Sequence, residues 1–265
     1  MQTNYKNWVP KAMVDTMKIV TIVIGIMFVL ILCSNIVSVN YKTIVLIILG
    51  IVFVISLCFT LLYIHLYNAF SYTGEKRISA RIINKIAEYV EIKDGGIGLD
   101  IGCGSGALTN AVAKRNPKAK MLGLDRWGKE YASFNQKLCE DNARAEAVIE
   151  RVSFTQGDAC KLDYPDETFD AITSNYCIHN IPGNSKKRQA ILLEDLRVLK
   201  KGGVFVIHDI FTKNKYGDMQ AFIQKLKDMG YEKVELIDTT NGLFLSKKET
   251  SSLLLNGSAL LIGKK

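Results

Sequence analysis

Two uncharged apolar runs open the chain, and a series of shorter apolar segments follows them. Ile19 to Val39 carries no charged residue, and Ile44 to Leu66 carries none apart from His65 near its end. Each run is long enough to cross a hydrocarbon core, which takes about 20 helical residues. The link Asn40-Tyr41-Lys42-Thr43 is short, so the two predicted helices should be antiparallel neighbours. A buried hairpin in a soluble protein is the alternative, but two such runs rarely share one soluble core. A cleaved signal sequence has a shorter apolar region and is not followed by a second run.

From Gly74 the pattern changes. Ile78, Ile82, Ile83, Ile86 and Val90 recur at helical spacing, which predicts an amphipathic helix over 75–91. Lys93-Asp94-Gly95-Gly96 ends it. Short apolar runs then predict strands around Ile97, Leu99 and Ile101, and over 120–124, 151–156, 169–174, 204–208, 233–237 and 258–262. Helices are predicted over 107–115, 129–142, 187–199 and 219–229, the second with Tyr131, Phe134 and Leu138 as its buried stripe. Lys200 to Gly203 reads as a turn. Strands alternating with helices mean an α/β fold with a mostly parallel, Rossmann-like sheet of seven strands. No clear helix separates the last two strands, so they should add an antiparallel edge. The expected division is an N-terminal segment over 1–17, a transmembrane hairpin over 18–67 and an α/β domain over 68–265.

Charge orients the hairpin. The chain carries a net charge of +8. Lys6, Lys11 and Lys18 precede the first run, and Lys76, Arg77, Arg81 and Lys85 follow the second, while only Lys42 lies between them. The positive-inside tendency puts both ends, and the α/β domain, on the cytoplasmic side of a two-span membrane protein. Tyr63, Tyr67 and Tyr72 suit either an interfacial belt or ordinary packing. The six cysteines (33, 58, 103, 139, 160 and 177) form no C-x-x-C pair. That argues against a disulfide framework or a zinc site and fits a reducing compartment.

Candidate chemistry centres on Gly98-Leu99-Asp100-Ile101-Gly102-Cys103-Gly104-Ser105-Gly106. A strand, a glycine-rich turn and a helix start handle nucleotides, because glycine lets the backbone approach a ligand and the helix start offers free N–H groups. The spacing Gly102-x-Gly104-x-Gly106 differs from the dinucleotide fingerprint G-x-G-x-x-G. Asp100 lies in the first strand, and Asp125 and Asp158 end the second and third, where ligands of open α/β sheets lie. A carboxylate after the second strand can accept hydrogen bonds from both ribose hydroxyls. Dinucleotide enzymes share that feature, so it does not discriminate. An acid in Gly157-Asp158-Ala159 can bind an adenine amino group.

With these residues in place, the sequence resembles class I S-adenosylmethionine-dependent methyltransferases, in the branch acting on small molecules and quinones. The resemblance rests on GLDIGCGSG at 98–106, LGLD at 122–125, GDACKLDYPDETFDAITSNYCIHNI at 157–181 and LRVLKKGGVFVIHD at 196–209, and covers about Gly74 to Lys265. It implies S-adenosylmethionine as cofactor. Gly102 and Gly104, with Cys103 and Gly106 completing the loop, would approach its methionine part, and Asp100 would orient the amino group. Asp125 would bind the ribose hydroxyls, and Arg126 or Trp127 would lie against the adenine. Asp158 would bind the adenine amino group with the Ala159 N–H nearby, and Ser174 and Asn175 would line the site near the methyl donor. Turn chemistry or capping is the bland role of each.

Methyl transfer is an in-line displacement, so the protein mainly aligns the nucleophile and excludes water. A base helps only where the nucleophile must lose a proton. His179 and Tyr176 are the candidates, with His208 behind them. Cys177 reads as packing, and no carboxylate set suggests a metal. The lid candidates are 70–77, 181–187 and 239–252. The first adjoins the second apolar run, which suits an apolar acceptor near a lipid bilayer, such as a quinone, lipid headgroup, thiol or phenol. The hairpin as a plain anchor, or as a surface for pairing with another membrane protein or a second copy, is the alternative. A catalytically inactive cofactor-binding sensor and a nicotinamide-dependent reductase stay open. Nucleic acid is not an expected partner, since basic residues are dispersed and no Asn-Pro-Pro-Tyr motif occurs.

Overall fold

A computed structural model describes residues 2–34, 36–128 and 133–265. The chain forms two compact units. One spans Asn7–Ser79, and the other joins the residues up to Lys6 with Ala80–Lys265.

The first unit is built on α1 (Lys11–Cys33) and α2 (Val39–Phe70), of 23 and 32 residues. At about 1.5 Å per residue they measure about 35 and 48 Å, beyond the roughly 30 Å of a hydrocarbon core. Both are long and apolar enough to cross a membrane, by length and composition. α1 starts at Lys11, ahead of the expected boundary, because the polar residues before Ile19 continue the same helix. Apolar side chains such as Ile22, Ile26, Leu30, Ile48 and Ile51 point outward. The seam between the helices is different. The Phe53 ring lies 3.1 Å from where a Cβ on Gly25 would be, and the Phe28 ring 3.6 Å from the same point on Gly50. Thr21 Oγ1 meets Ser56 Oγ at 2.6 Å and Thr60 Oγ1 at 2.8 Å, and the Thr60 hydroxyl also donates to the Met17 carbonyl. Small residues and shared hydroxyls hold helices together where surrounding lipid removes the hydrophobic drive.

The second unit carries the sheet. Its strands are β1 (Ile97–Ile101), β2 (Lys120–Asp125), β3 (Val152–Gln156), β4 (Phe169–Asn175), β5 (Leu199–Ile210), β6 (Glu232–Asp238) and β7 (Ser258–Lys264), in the order β3-β2-β1-β4-β5-β7-β6. The first five pair in parallel, and β7 runs antiparallel to both β5 and β6, one place in from the edge. Helix α3 (Ile78–Ala87) precedes the first strand, and α4 (Ala107–Arg115), α5 (Gln136–Ala145), α6 (Ser185–Arg197), α7 (Lys213–Tyr216), α8 (Met219–Asp228) and α9 (Lys247–Ser252) lie between the strands. Leu99, Ile101, Ile172, Phe205 and Ile207 are fully buried in the sheet, and α6 and α8 lay Leu192, Leu196, Phe222 and Leu226 against the same core.

Three local elements differ from the pattern. α5 begins only at Gln136, because the Asn135 side chain caps it by accepting the Leu138 N–H at 2.9 Å. Lys129 and Tyr131, expected in that helix, lie outside the described residues. The expected turn at 200–203 is part of β5. Gly202 at φ 77° absorbs a register shift opposite Phe169 and Ala171, so the strand bends and continues. The short helix α9 separates β6 from β7, started by a capping box between Ser246 and Glu249.

β1 and β4 are neighbours, with β2 and β3 on one side and β5 on the other. The chain changes direction there, which opens a crevice at the carboxyl ends of the strands. For the hairpin, Thr21→Val should leave the Ser56 and Thr60 hydroxyls short of a partner. It should lower helix–helix stability by about 0.6 kcal/mol and at most about 1.7 kcal/mol. Dodecyl sulfate titration, read by energy transfer between labelled helices, checks this.

Candidate functional site

The glycine turn follows β1 directly. Gly102 and Cys103 both donate their N–H groups to the Leu124 carbonyl, at 2.8 and 3.1 Å, which seats the turn on β2. Gly102 has φ 73°, and a Cβ there would lie 2.2 Å from Cys177 Sγ. No other residue fits. Gly104, at φ 57°, donates its N–H to Asp125 Oδ2 at 2.8 Å. Asp125 Oδ1 accepts the Trp127 N–H at 2.7 Å. The Gly104 carbonyl in turn accepts the Trp127 indole N–H at 2.9 Å and faces the Cys139 thiol at 3.2 Å. Gly106 precedes the first turn of α4. One half-buried carboxylate at the end of β2 therefore fixes the turn and its own loop together.

Asp100 sits beneath the turn and is 1 % exposed. Register places it beside Thr173 of β4. Its oxygens accept the Thr109 hydroxyl at 2.6 Å and the Thr173 hydroxyl at 3.0 Å. Burial pushes its pKa up to about 6, against the opposing pull of those hydroxyls. Ser174 donates its hydroxyl to the Ile101 carbonyl at 2.8 Å and so ties β4 to β1. Both residues brace the turn from below.

Asp158 is exposed after β3, with Oδ1 accepting the Cys160 N–H at 2.8 Å in a local turn. The adjacent Ala159 is buried. Arg126 is exposed, and its carbonyl accepts the Gln156 amide at 3.0 Å. Asp158, Asp125 and the glycine turn thus follow one another along three adjacent strand ends. Adjacent strands are about 4.8 Å apart, so β3 to β4 spans about 14 Å, the reach of an extended nucleoside with an amino-acid arm.

On the β4–β5 side, His179 Nδ1 is hydrogen bonded to Asp209 Oδ1, and the His179 N–H donates to Oδ2 at 3.1 Å. Asp209 is fully buried and also accepts the Tyr216 hydroxyl at 2.8 Å and the Ile210 N–H at 2.7 Å. Burial alone would raise its pKa, but the His179 ring and these donors outweigh it and hold the carboxyl low. The pair engages the ring through Nδ1, and Nε2 is its other nitrogen. Asp209 was not singled out by the sequence reading. Its position at the end of a strand, like Asp125, was the available signal.

Tyr176 and His208 are placed differently. The Tyr176 hydroxyl meets Ser258 Oγ at 2.7 Å, Ser258 itself donates to the Leu255 carbonyl, and burial raises the phenol's pKa. His208 lies between Asn175 Oδ1 at 2.9 Å and Thr239 Oγ1 at 3.0 Å, and burial pushes its pKa down to about 3. It is neutral, and Asn175 serves to hold it. The Phe244 ring stands 5.2 Å from His208. Arg81 clasps the loop that carries it, through Glu249 at 2.6 Å and the Phe244 carbonyl at 3.0 Å. Cys177 is a packing residue under Gly102, its thiol pushed up by burial. Among the described residues, no group of three or more His, Cys, Asp or Glu side chains converges as a metal site.

Residues 99–207 match the family model described as a methyltransferase domain. The chain is 34 % identical over 123 residues to a demethylmenaquinone methyltransferase of Lactobacillus johnsonii, covering 45 % of this chain and 46 % of that one. It spans about half the length of the curated relatives it matches. Among solved structures, a geranyl diphosphate methyltransferase in complex with GPP and sinefungin superposes with a TM-score of 0.55 at 13 % identity, covering 75 % of this chain and 82 % of that one. The [4+2]-cyclase SpnF gives 0.54 at 20 % identity, covering 71 % and 81 %. The chain is thus similar to methyltransferases over residues 99–207, and the α/β unit has the Rossmann-like fold of the superposed structures.

The Asp100 carboxyl carries a stability prediction. Its folded pKa is raised, so the folded state holds the proton more tightly, and the stabilisation present at low pH is lost as pH rises through 6. Between pH 5 and 7.5 the wild type should lose about 1.4 kcal/mol that Asp100→Asn does not. Urea midpoints of the two proteins at both pH values check this.

Proposed function

We propose that this methyltransferase domain moves the methyl group of S-adenosylmethionine to a small lipophilic acceptor at a membrane surface. The observation that carries the reading is the pairing of two devices across the β1/β4 crevice. Asp125 with the glycine turn stands on one side, and His179 with Asp209 on the other. The residues fit the cofactor. Asp125 faces the turn where ribose hydroxyls would lie, Gly104 presents backbone without a side chain of its own, and Asp158 is exposed at the end of the neighbouring strand. Bound S-adenosylmethionine supplies a methyl group on a positively charged sulfur.

The chain's own residues then have three tasks. The glycine turn and Asp125 orient the donor, and good alignment contributes about 7–11 kcal/mol to such a displacement. Tyr176, His208 and Phe244 form an aromatic wall that excludes water. His179 Nε2 takes the proton from the attacking heteroatom as the new bond to carbon forms. Asp209 holds the ring in the tautomer that leaves Nε2 free and stabilises the charge that develops on it. Tyr176 has no such part, because its hydroxyl is spent on Ser258.

The apolar acceptor is supported by the two apolar helices and by the quinone and isoprenoid acceptors in the names of similar proteins. The lysines and arginines that flank the two apolar helices support a reading with both hairpin ends and the domain on the cytoplasmic side.

Membranes holding the full chain, given methyl-labelled cofactor and vesicles doped with quinols and phenols, should yield labelled lipid-soluble product. His179→Ala should lower kcat by about 10²- to 10⁴-fold, with Asp209→Asn falling in the same direction. An unchanged rate in His179→Ala removes the base. No labelled product from any acceptor removes the enzyme reading.

A further inference from the structure

The segment ahead of the first apolar helix reads as an unremarkable tail, yet it is built into the cofactor loop. Tyr5 is 4 % exposed. Its carbonyl accepts the Ser105 hydroxyl at 2.8 Å, across 100 positions of sequence. Its phenol donates to Glu146 at 3.1 Å and accepts from the Asn110 amide at 3.2 Å. The Asn4 N–H donates to Asn142 Oδ1 at 2.7 Å, and the Asn142 amide donates back to the Asn4 carbonyl and to the Ser105 carbonyl, at 3.2 and 3.0 Å. Ser105 is the residue between the last two glycines of the turn. It is therefore gripped through its hydroxyl by the N-terminal segment and through its carbonyl by α5.

This grip matters because of what it holds. Gly102, Gly104 and Gly106 all have positive φ, of 73°, 57° and 79°. A turn with three such glycines loses much conformational entropy when it is fixed, and glycine contributes no side chain to fix it. The restraint must come from outside. Asp125 and Trp127 supply it at Gly104, on the ligand side, and Tyr5 and Asn142 supply it at Ser105.

We propose that Asn4 and Tyr5 are positioning residues of the cofactor site, holding the glycine turn in its binding shape from outside, so that cofactor affinity depends on the chain ahead of α1. The inference rests on the S-adenosylmethionine reading above. It gives the N-terminal segment a role that neither its composition nor its distance from the motif suggests.

The test uses the full chain in detergent and S-adenosylhomocysteine as the probe, with Kd from calorimetry and KM values from the labelled assay. Tyr5→Ala should weaken cofactor binding about 5- to 10-fold, the scale of one or two lost hydrogen bonds. Cofactor KM should rise in parallel while acceptor KM stays put. Tyr5→Phe keeps the ring and the backbone carbonyl and should recover most of the affinity. Ser105→Ala should weaken binding alone, but add little on top of Tyr5→Ala, because loss of the buried ring and of the phenol's anchors on Glu146 and Asn110 releases the segment whose carbonyl the Ser105 hydroxyl grips. Equal affinity in wild type and Tyr5→Ala, additive losses in the double variant, or equal rises in both KM values would each overturn the proposal. A wild type that binds no S-adenosylhomocysteine contradicts the cofactor reading itself, and is thereby told apart from a failure of the N-terminal grip.

Discussion

Everything at the ligand end of the sheet depends on how a turn made of glycines is held still. Asp125 is the central restraint. One carboxylate takes the N–H of Gly104 from the turn and the N–H of Trp127 from its own loop, so the ends of β1 and β2 move as one body. The positive φ at Gly104 is what aims that N–H at Asp125. The close seat of Gly102 on Cys177 is what brings β4 under the same turn. A side chain at either glycine would break the arrangement by strain or by collision. The donor side of the site is thus a backbone surface, and its shape is set by contacts from several distant parts of the chain.

Three buried aspartates show how partners decide what burial does. Asp209 gains a histidine, a tyrosine hydroxyl and a backbone N–H, and its carboxyl is held low. Asp100 gains two threonine hydroxyls, which offset burial only in part, and its pKa rises to about 6. Asp195 on α6 has neither oxygen partnered among the described residues, and burial pushes its carboxyl up. Only the first is held charged beside a histidine, which is what the proposed role of His179 as proton acceptor requires. The acceptor side therefore differs in kind from the donor side: it is made of side chains, and its chemistry is electrostatic.

The periodic parts of the chain were legible. Apolar runs gave the two long helices, the strands and their mostly parallel pairing, and it took the four motifs together, not the glycine spacing alone, to set the turn apart from a dinucleotide fingerprint. What was missed depends on long-range contact or on local caps. The late start of α5 follows from one capping asparagine at 135, and α9 from a capping box whose S-x-x-E signature was present at 246–249. The bend at Gly202 inside β5 looks like a turn in one dimension, because only the partner strand reveals that pairing continues through it. The link of Asp209 to His179 spans 30 positions, and that of Tyr5 to Ser105 spans 100. No periodicity connects such residues. His208 and Tyr176 looked like candidate bases by position, and only their partners reveal a neutral imidazole and a committed hydroxyl.

The measurement that tests the central claim most directly is calorimetric titration of the detergent-solubilised full chain with S-adenosylmethionine, beside an Asp125→Ala variant whose folding is checked by thermal melting. The account predicts micromolar binding by the wild type and none detectable by the folded variant. Binding that survives the loss of Asp125, or a folded wild type that binds nothing, would contradict it.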